Sequence, residues 1–191
     1  SVILDDQVAF DNAREPLAQV FQAVDGDEST RFIAITNHFK SKGCGEASGE
    51  QADQGDGQGC WNPRRVESAR RLASWLQTDP TGSGSDLTAI VGDLNAYGQE
   101  DPLRLLYSQG WVDALAATAT QRHSFVFDGM AGRLDHVLLS RSLAGRLAGS
   151  AIWHSNADEP ANARDRADNA GNGATPWRSS DHDPLLVGLA L

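Results

Sequence analysis

The sequence predicts an α/β fold in a single domain. Three observations carry that prediction: apolar runs of strand length, two helix signatures opened by proline, and Gly-rich or polar segments between them. At 191 residues the chain suits one domain and can bury about 70% of its unfolded surface. Leu17 to Val24 alternates in the manner of a strand, and Asp25-Gly26-Asp27 turns it towards a second strand at Phe32 to Thr36. After a polar loop, Asn62 is placed to cap a helix that starts at Pro63 and carries Val66, Ala69, Leu72, Ala73 and Leu76 on one face. Thr81-Gly82-Ser83-Gly84-Ser85 ends it. Leu87 to Val91 reads as a buried strand, and Asp101-Pro102 opens a second helix through Leu103, Leu106 and Tyr107 that closes at Gly110. Phe125-Val126-Phe127 and Leu134 to Leu139 flank a turn-rich pentapeptide and predict another strand pair. Residues 156–180 hold few apolar anchors and read as a long surface loop before a last strand, Leu185 to Leu189. No repeat or linker divides residues 1–191.

Composition narrows the function classes. The net charge of -10 opposes simple electrostatic coating of nucleic acid. A cation held between carboxylates escapes that objection by supplying local positive charge. All but Lys40 and Lys42 of the 16 basic residues are Arg, the better bidentate phosphate ligand; a bias of the source genome explains the ratio equally. No run of about 18 apolar residues occurs, so no membrane segment is expected. The start, Ser1 to Asp6, lacks the basic and apolar regions of a signal peptide and opens on a strand-like run, as in a piece of a longer protein.

Cys44 and Cys60 bound a Gly-rich, polar loop with nothing to pack. Two thiols there read as a disulfide staple, which in the chain-entropy model stabilises a loop of this size by about 3 kcal/mol and implies an oxidising compartment. Free thiols or part of a metal site are the alternatives. Asp53 and Asp56 in the same loop could hold Ca²⁺, although their spacing is not that of an EF-hand.

Four clusters carry chemistry-bearing residues where an apolar run meets irregular backbone: Ile33 to His38, Ala89 to Asn95, Leu134 to Leu139, and Ser180-Asp181-His182-Asp183-Pro184 before the last strand. Four such ends predict one shared edge, and adjacent acid and base are the ingredients of a hydrolytic site. His136 reads as a stabiliser of its strand turn. His123, His154 and the tryptophans read as surface or packing residues, with Trp177-Arg178 either anchoring the long loop or reaching a ligand.

In their order, these motifs resemble the C-terminal portion of the endonuclease/exonuclease/phosphatase superfamily. Arg14-Glu15-Pro16 is similar to its phosphate-binding segment, Asn37-His38 to its first catalytic His, Gly92-Asp93-Leu94-Asn95 to its GD[FL]N motif, Leu134-Asp135-His136 to its [LI]D[YHR] motif, and Ser180-Asp181-His182 to its terminal SDH. Asn37 to Gly43, the Cys loop and Arg178 to Pro184 look most like bacterial extracellular nucleases. The resemblance implies a four-layered α/β sandwich, two packed and mostly antiparallel sheets flanked by helices, with the N-terminal part of the fold outside this chain.

The resemblance also implies a secreted, metal-dependent phosphodiesterase acting on DNA, with RNA as a second substrate, and with Mg²⁺ as cofactor and Mn²⁺ or Ca²⁺ as alternatives. Asp181 is then the metal ligand, beside a Glu in the remaining N-terminal half of the domain. Asp93 orients or deprotonates water, and Asn95 holds that water and a phosphate oxygen. His38 and His182 donate to non-bridging oxygens, Asp135 orients His182, and Arg14 and Asn37 bind substrate. A phosphomonoesterase, a lipid phosphodiesterase or a non-catalytic binding domain of the same superfamily stays open at this point.

Overall fold

The computed structural model describes residues 1–116, 123–159 and 180–191. A six-stranded sheet forms the centre. Its strands are β1 (Val2–Ile3), β2 (Arg14–Phe21), β3 (Phe32–His38), β4 (Thr88–Asp93), β5 (Val112–Asp113) and, later in the chain, β8 (Asp135–Leu139), arranged β1-β2-β3-β4-β8-β5. Only β3 and β4 pair in parallel, joined by a crossover that contains α1 (Asn62–Leu76), whereas every other neighbouring pair is antiparallel. A parallel pair needs a crossover of this length.

Alternation along the strands sorts their side chains between two faces. Ile33, Ile35, Ile90 and Leu138 turn to one face, where Ala69, Leu72 and Ala73 of α1 and Leu103 and Leu106 of α2 (Asp101–Ser108) cover them. Ala89 and Leu139 turn to the other, against a two-stranded sheet of β9 (Leu147–Ile152) and β10 (Leu185–Leu189), with α3 (Arg141–Ala144) at its margin. The described residues therefore hold a helix layer, a large sheet and a small second sheet. On the second face the β2 end is less covered, leaving Leu17 37% and Phe21 47% exposed.

Three local expectations are corrected. β2 begins at Arg14, three residues before the expected start, across an irregularity between Arg14 and Leu17; Pro16, which has no N–H to give the ladder, sits inside that irregularity. Asn62 is the first helical residue and not the cap: Trp61 precedes it in the left-handed conformation, and the Asn62 amide donates to Asp101 at 3.0 Å, tying the starts of α1 and α2 together. Phe125–Phe127 (β6) pairs with Met130–Gly132 (β7) in a hairpin of its own, leaving β8 to the central sheet.

The predicted disulfide is present. Cys44 and Cys60 are bonded with their Cα atoms 5.3 Å apart. The loop has further anchors: the wholly buried Arg65 donates to the carbonyls of Cys60 (2.7 Å) and Gln58 (2.9 Å), while Lys42 pairs with Glu100 at 2.5 Å. Asp53 and Asp56 accept from the backbone N–H groups of Gly55 and Gln58 in local turns. No described helix is long and apolar enough to cross a membrane. The long loop falls mostly outside the described residues, as do Trp177 and Arg178.

Candidate active site

Four strands contribute one row of side chains. In register, Arg14 lies opposite His38, His38 beside Asp93, and Asp93 opposite Asp135. Residues aligned across a sheet share a face, so the row projects from the side away from α1 and α2. Gly92 permits the close packing beneath it: its φ is +122°, and an added Cβ would stand 2.1 Å from the Asn37 carbonyl oxygen.

At the β2–β3 end, Arg14 Nη1 is 2.5 Å from His38 Nδ1. A guanidinium only donates, so Nδ1 accepts and the ring proton is assigned to Nε2, which lies 3.6 Å from an Asp93 carboxylate oxygen. Burial first, and then the Arg14 charge, hold the His38 pKa below its ordinary value.

Asp93 is held by the residue two positions on. The Asn95 N–H donates to Oδ1 at 2.8 Å and its side-chain amide to Oδ2 at 3.2 Å, with the same amide bonded to the Phe39 carbonyl at 2.9 Å. Asn95 is buried, with φ +47°, a conformation that Asn tolerates better than most residues. Burial pushes Asp93 up to about 6; the Asn95 N–H and His182 oppose the rise, and the charges of Asp135 and Asp181 add to it.

At the opposite end, His182 Nδ1 lies 2.6 Å from Asp135 Oδ2, and the Ser124 hydroxyl donates to that same oxygen at 2.6 Å. Phe125 stacks on the His182 ring at 4.6 Å. Burial disfavours the charged ring, but the Asp135 hydrogen bond and charge, with Asp93 and Asp181 beyond, outweigh it and raise the His182 pKa. A cleft of ≈ 450 Å³ opens beside this dyad, lined by Gly92, Asp135, Trp153, Asn156, His182 and Pro184 among others.

The structure thus gathers Arg14, His38, Asp93, Asn95, Asp135 and His182 at one sheet edge, with the partly buried Asp181 close enough for its charge to act on Asp93 and His182. Asn37 is not among them. As the strand neighbour of His38 it faces the other way, is 7% exposed, and spends its amide on the Ile35 and Val91 carbonyls. His136 is structural: its Nε2 bonds the Ala96 carbonyl at 2.8 Å, and burial lowers its pKa to about 4. Sequence reading missed Ser124 and Phe125, which carry no motif. It also missed the buried Asp183, whose Oδ1 accepts the N–H groups of Ser155, Asn156 and Ala157.

Carboxylate oxygens are the donor type that a hard divalent cation takes, and Asp181, whose charge acts on Asp93 and His182, would be the residue of this edge to hold one.

Comparison with known proteins gives the fold relatives. In structure, the chain is similar to an endonuclease/exonuclease/phosphatase of Bacteroides vulgatus (TM-score 0.57, 15% identity), covering 93% of this chain and 56% of that one. A mannosyl-6-phosphatase of Bacteroides thetaiotaomicron matches at TM-score 0.58 and 18% identity, covering 93% of this chain and 57% of that one. An AP endonuclease of Archaeoglobus fulgidus matches at 0.53 and 14%, covering 91% and 71%. The chain therefore spans little more than half the length of the two bacterial structures. A search of curated protein sequences gave no significant match. Residues 9–182 match the model of the Endonuclease/Exonuclease/phosphatase family, and with the site row falling inside that span the chain belongs to this family of hydrolases.

Proposed function

We propose that the chain is the C-terminal portion of a secreted nuclease domain that hydrolyses phosphodiester bonds of DNA, and of RNA as a second substrate, with Mg²⁺. The observation that carries the reading is the row Arg14–His38–Asp93–Asp135, completed by His182: a base in Asp93, an imidazole in His182 oriented by Asp135, and two phosphate-facing groups in His38 and Arg14, all on one edge. Asp181, with a Glu of the remaining N-terminal half, would hold Mg²⁺, which would supply neutralisation of the charge that develops during hydrolysis. Asp93, raised to about 6, suits a base that orients water and takes its proton as the water oxygen attacks phosphorus and the bond to the leaving oxygen breaks. His182, its Nδ1 proton given to Asp135, presents Nε2 to a non-bridging oxygen. His38 donates through Nε2, and Arg14 neutralises a phosphate. Asn95, with its amide engaged on Asp93 and Phe39, positions the base.

The Cys44–Cys60 bond supports residence in an oxidising compartment. The exposed apolar residues Leu17 and Phe21 suit burial against the remaining N-terminal half of the domain. The resemblance in sequence of Asn37 to Gly43, the Cys loop and Arg178 to Pro184 to bacterial extracellular nucleases supports a nucleic-acid substrate over a phosphomonoester or a lipid.

Supercoiled-plasmid nicking with Mg²⁺, with and without EDTA, tests the reading on this chain and on a version extended to include the rest of the domain. Nicking by the extended protein, abolished by EDTA, is the expected result. Hydrolysis of phosphomonoesters or lipid phosphodiesters with no nicking would overturn it.

A further inference from the structure

We propose that His123, His154 and Asp183 form a second metal site, separate from the carboxylate cluster around Asp93, that binds a borderline divalent ion of the Zn²⁺ type. One ligand atom from each of the three lies within 4.8 Å of the others. His154 Nδ1 is hydrogen-bonded to Asp183 Oδ2 at 3.0 Å, close to the roughly 3.3 Å between two tetrahedral ligands of one ion, so an ion can replace the bridging proton with little movement of either group. The His123 ring stacks on His154 with centroids 4.3 Å apart. His123 Nε2 is buried with no hydrogen-bond partner, a costly state for a polar atom that coordination would relieve.

The carboxylate is prepared for the task. Asp183 is 2% exposed, and three backbone N–H groups fix its Oδ1, so that Oδ2, which among the described residues meets only His154 Nδ1, is the oxygen turned to the shared ion; donors of this kind orient a ligating carboxylate. The His154 side chain is 30% exposed and gives an entry path. Closing the set requires a movement of roughly 1–2 Å by the His123 ring, with water as fourth ligand.

Donor chemistry separates the two sites. Two imidazoles and one carboxylate suit Zn²⁺ and its transition-metal neighbours, whereas the all-oxygen group around Asp93 suits Mg²⁺. The bonded Cys44 and Cys60 offer no competing thiolate. Position gives the ion a consequence: His123 directly precedes Ser124, and Asp183 directly follows His182, the two residues that hydrogen-bond Asp135. A shared ion would clamp both segments behind the dyad.

Co²⁺ titration followed by visible absorption, with Zn²⁺ displacement monitored by calorimetry, tests the site on the full chain. The expected result is one Co²⁺ per chain with bands of nitrogen ligation, retained in Asp181→Ala and His38→Ala, and weakened by roughly a hundredfold in both His123→Gln and His154→Gln. Circular dichroism of the Gln variants must match wild type; His154→Cys, which replaces one Zn²⁺ ligand type with another, should retain binding where Gln does not. Bands that survive both Gln substitutions, or that vanish in Asp181→Ala or His38→Ala, would overturn the proposal, as would the absence of Co²⁺ and Zn²⁺ binding.

Discussion

The two ends of the active-site row hold the same residue type under opposite fields. At the β2–β3 end a guanidinium donates into the His38 ring and, after burial, is the main influence holding its pKa down. At the β8–β10 end a carboxylate accepts from His182 and overcomes burial to hold its pKa up. The neighbour of each ring thus helps to decide the direction of its shift, with burial acting on both. In the proposed hydrolysis the His182 side is pushed towards the charged form and the His38 side towards the neutral form, with Asp93 between them.

Removing the charged side outright should have the largest effect. His182→Ala in the extended protein should lower kcat/KM for plasmid hydrolysis by about 10³–10⁴-fold with the circular dichroism unchanged; near wild-type turnover would strip His182 of its role. Next comes Asp135→Asn, which keeps the shape but removes the negative charge that supports the charged ring. A loss of about 10²–10³-fold is expected. An effect no larger than that of Ser124→Ala would mean that Asp135 serves only to hold the loop.

Arg14→Gln acts on the neutral side and should cost about tenfold in activity through its phosphate contact, while raising the His38 pKa part of the way back, because burial is the larger cause of its depression. Proton NMR of the ring checks this. The stability linkage has a defined sign: with the folded pKa below the unfolded 6.5, His38 costs nothing above pH 6.5 and destabilises progressively as pH falls through 6.5 towards its folded value. Arg14→Gln should shrink that acid-side loss, and an unchanged titration would disprove the electrostatic coupling. Least affected in activity should be the paired Cys44→Ser, Cys60→Ser variant, which removes no side chain of the row. It should lose about 3 kcal/mol of unfolding free energy in denaturant melts with less than about twofold change in turnover.

Much of the site could be read in the sequence because strands advertise their ends. His38 and Asp93 stand where apolar alternation stops, and Asp135 and His182 where it starts, so a shared edge followed from pattern alone. The period of two also held a warning about Asn37, since neighbours on a strand cannot both face one cleft. Other features left no local trace. β9 is built from Leu147, Ala148, Gly149, Ser150, Ala151 and Ile152 and becomes a strand by pairing with β10. β6 found its partner in the short Met130–Gly132 segment because β8 was taken by β4. Ser124 and Asp183 owe their importance to what the fold places beside them.

The register of the central sheet serves as a proofreading device. Arg14, His38, Asp93 and Asp135 meet only because three separate ladders agree on one alignment, and a slip of one residue turns every side chain on the slipped strand to the opposite face. A chain that paired β3 with β4 one position out would carry Asp93 towards the helices and would bring Gly92 away from the single carbonyl against which it fits. Misassembled copies would then be inert rather than loosely active. For the nuclease proposed above, tying the power to cut to the correctness of the fold would be a safeguard that requires no inhibitor.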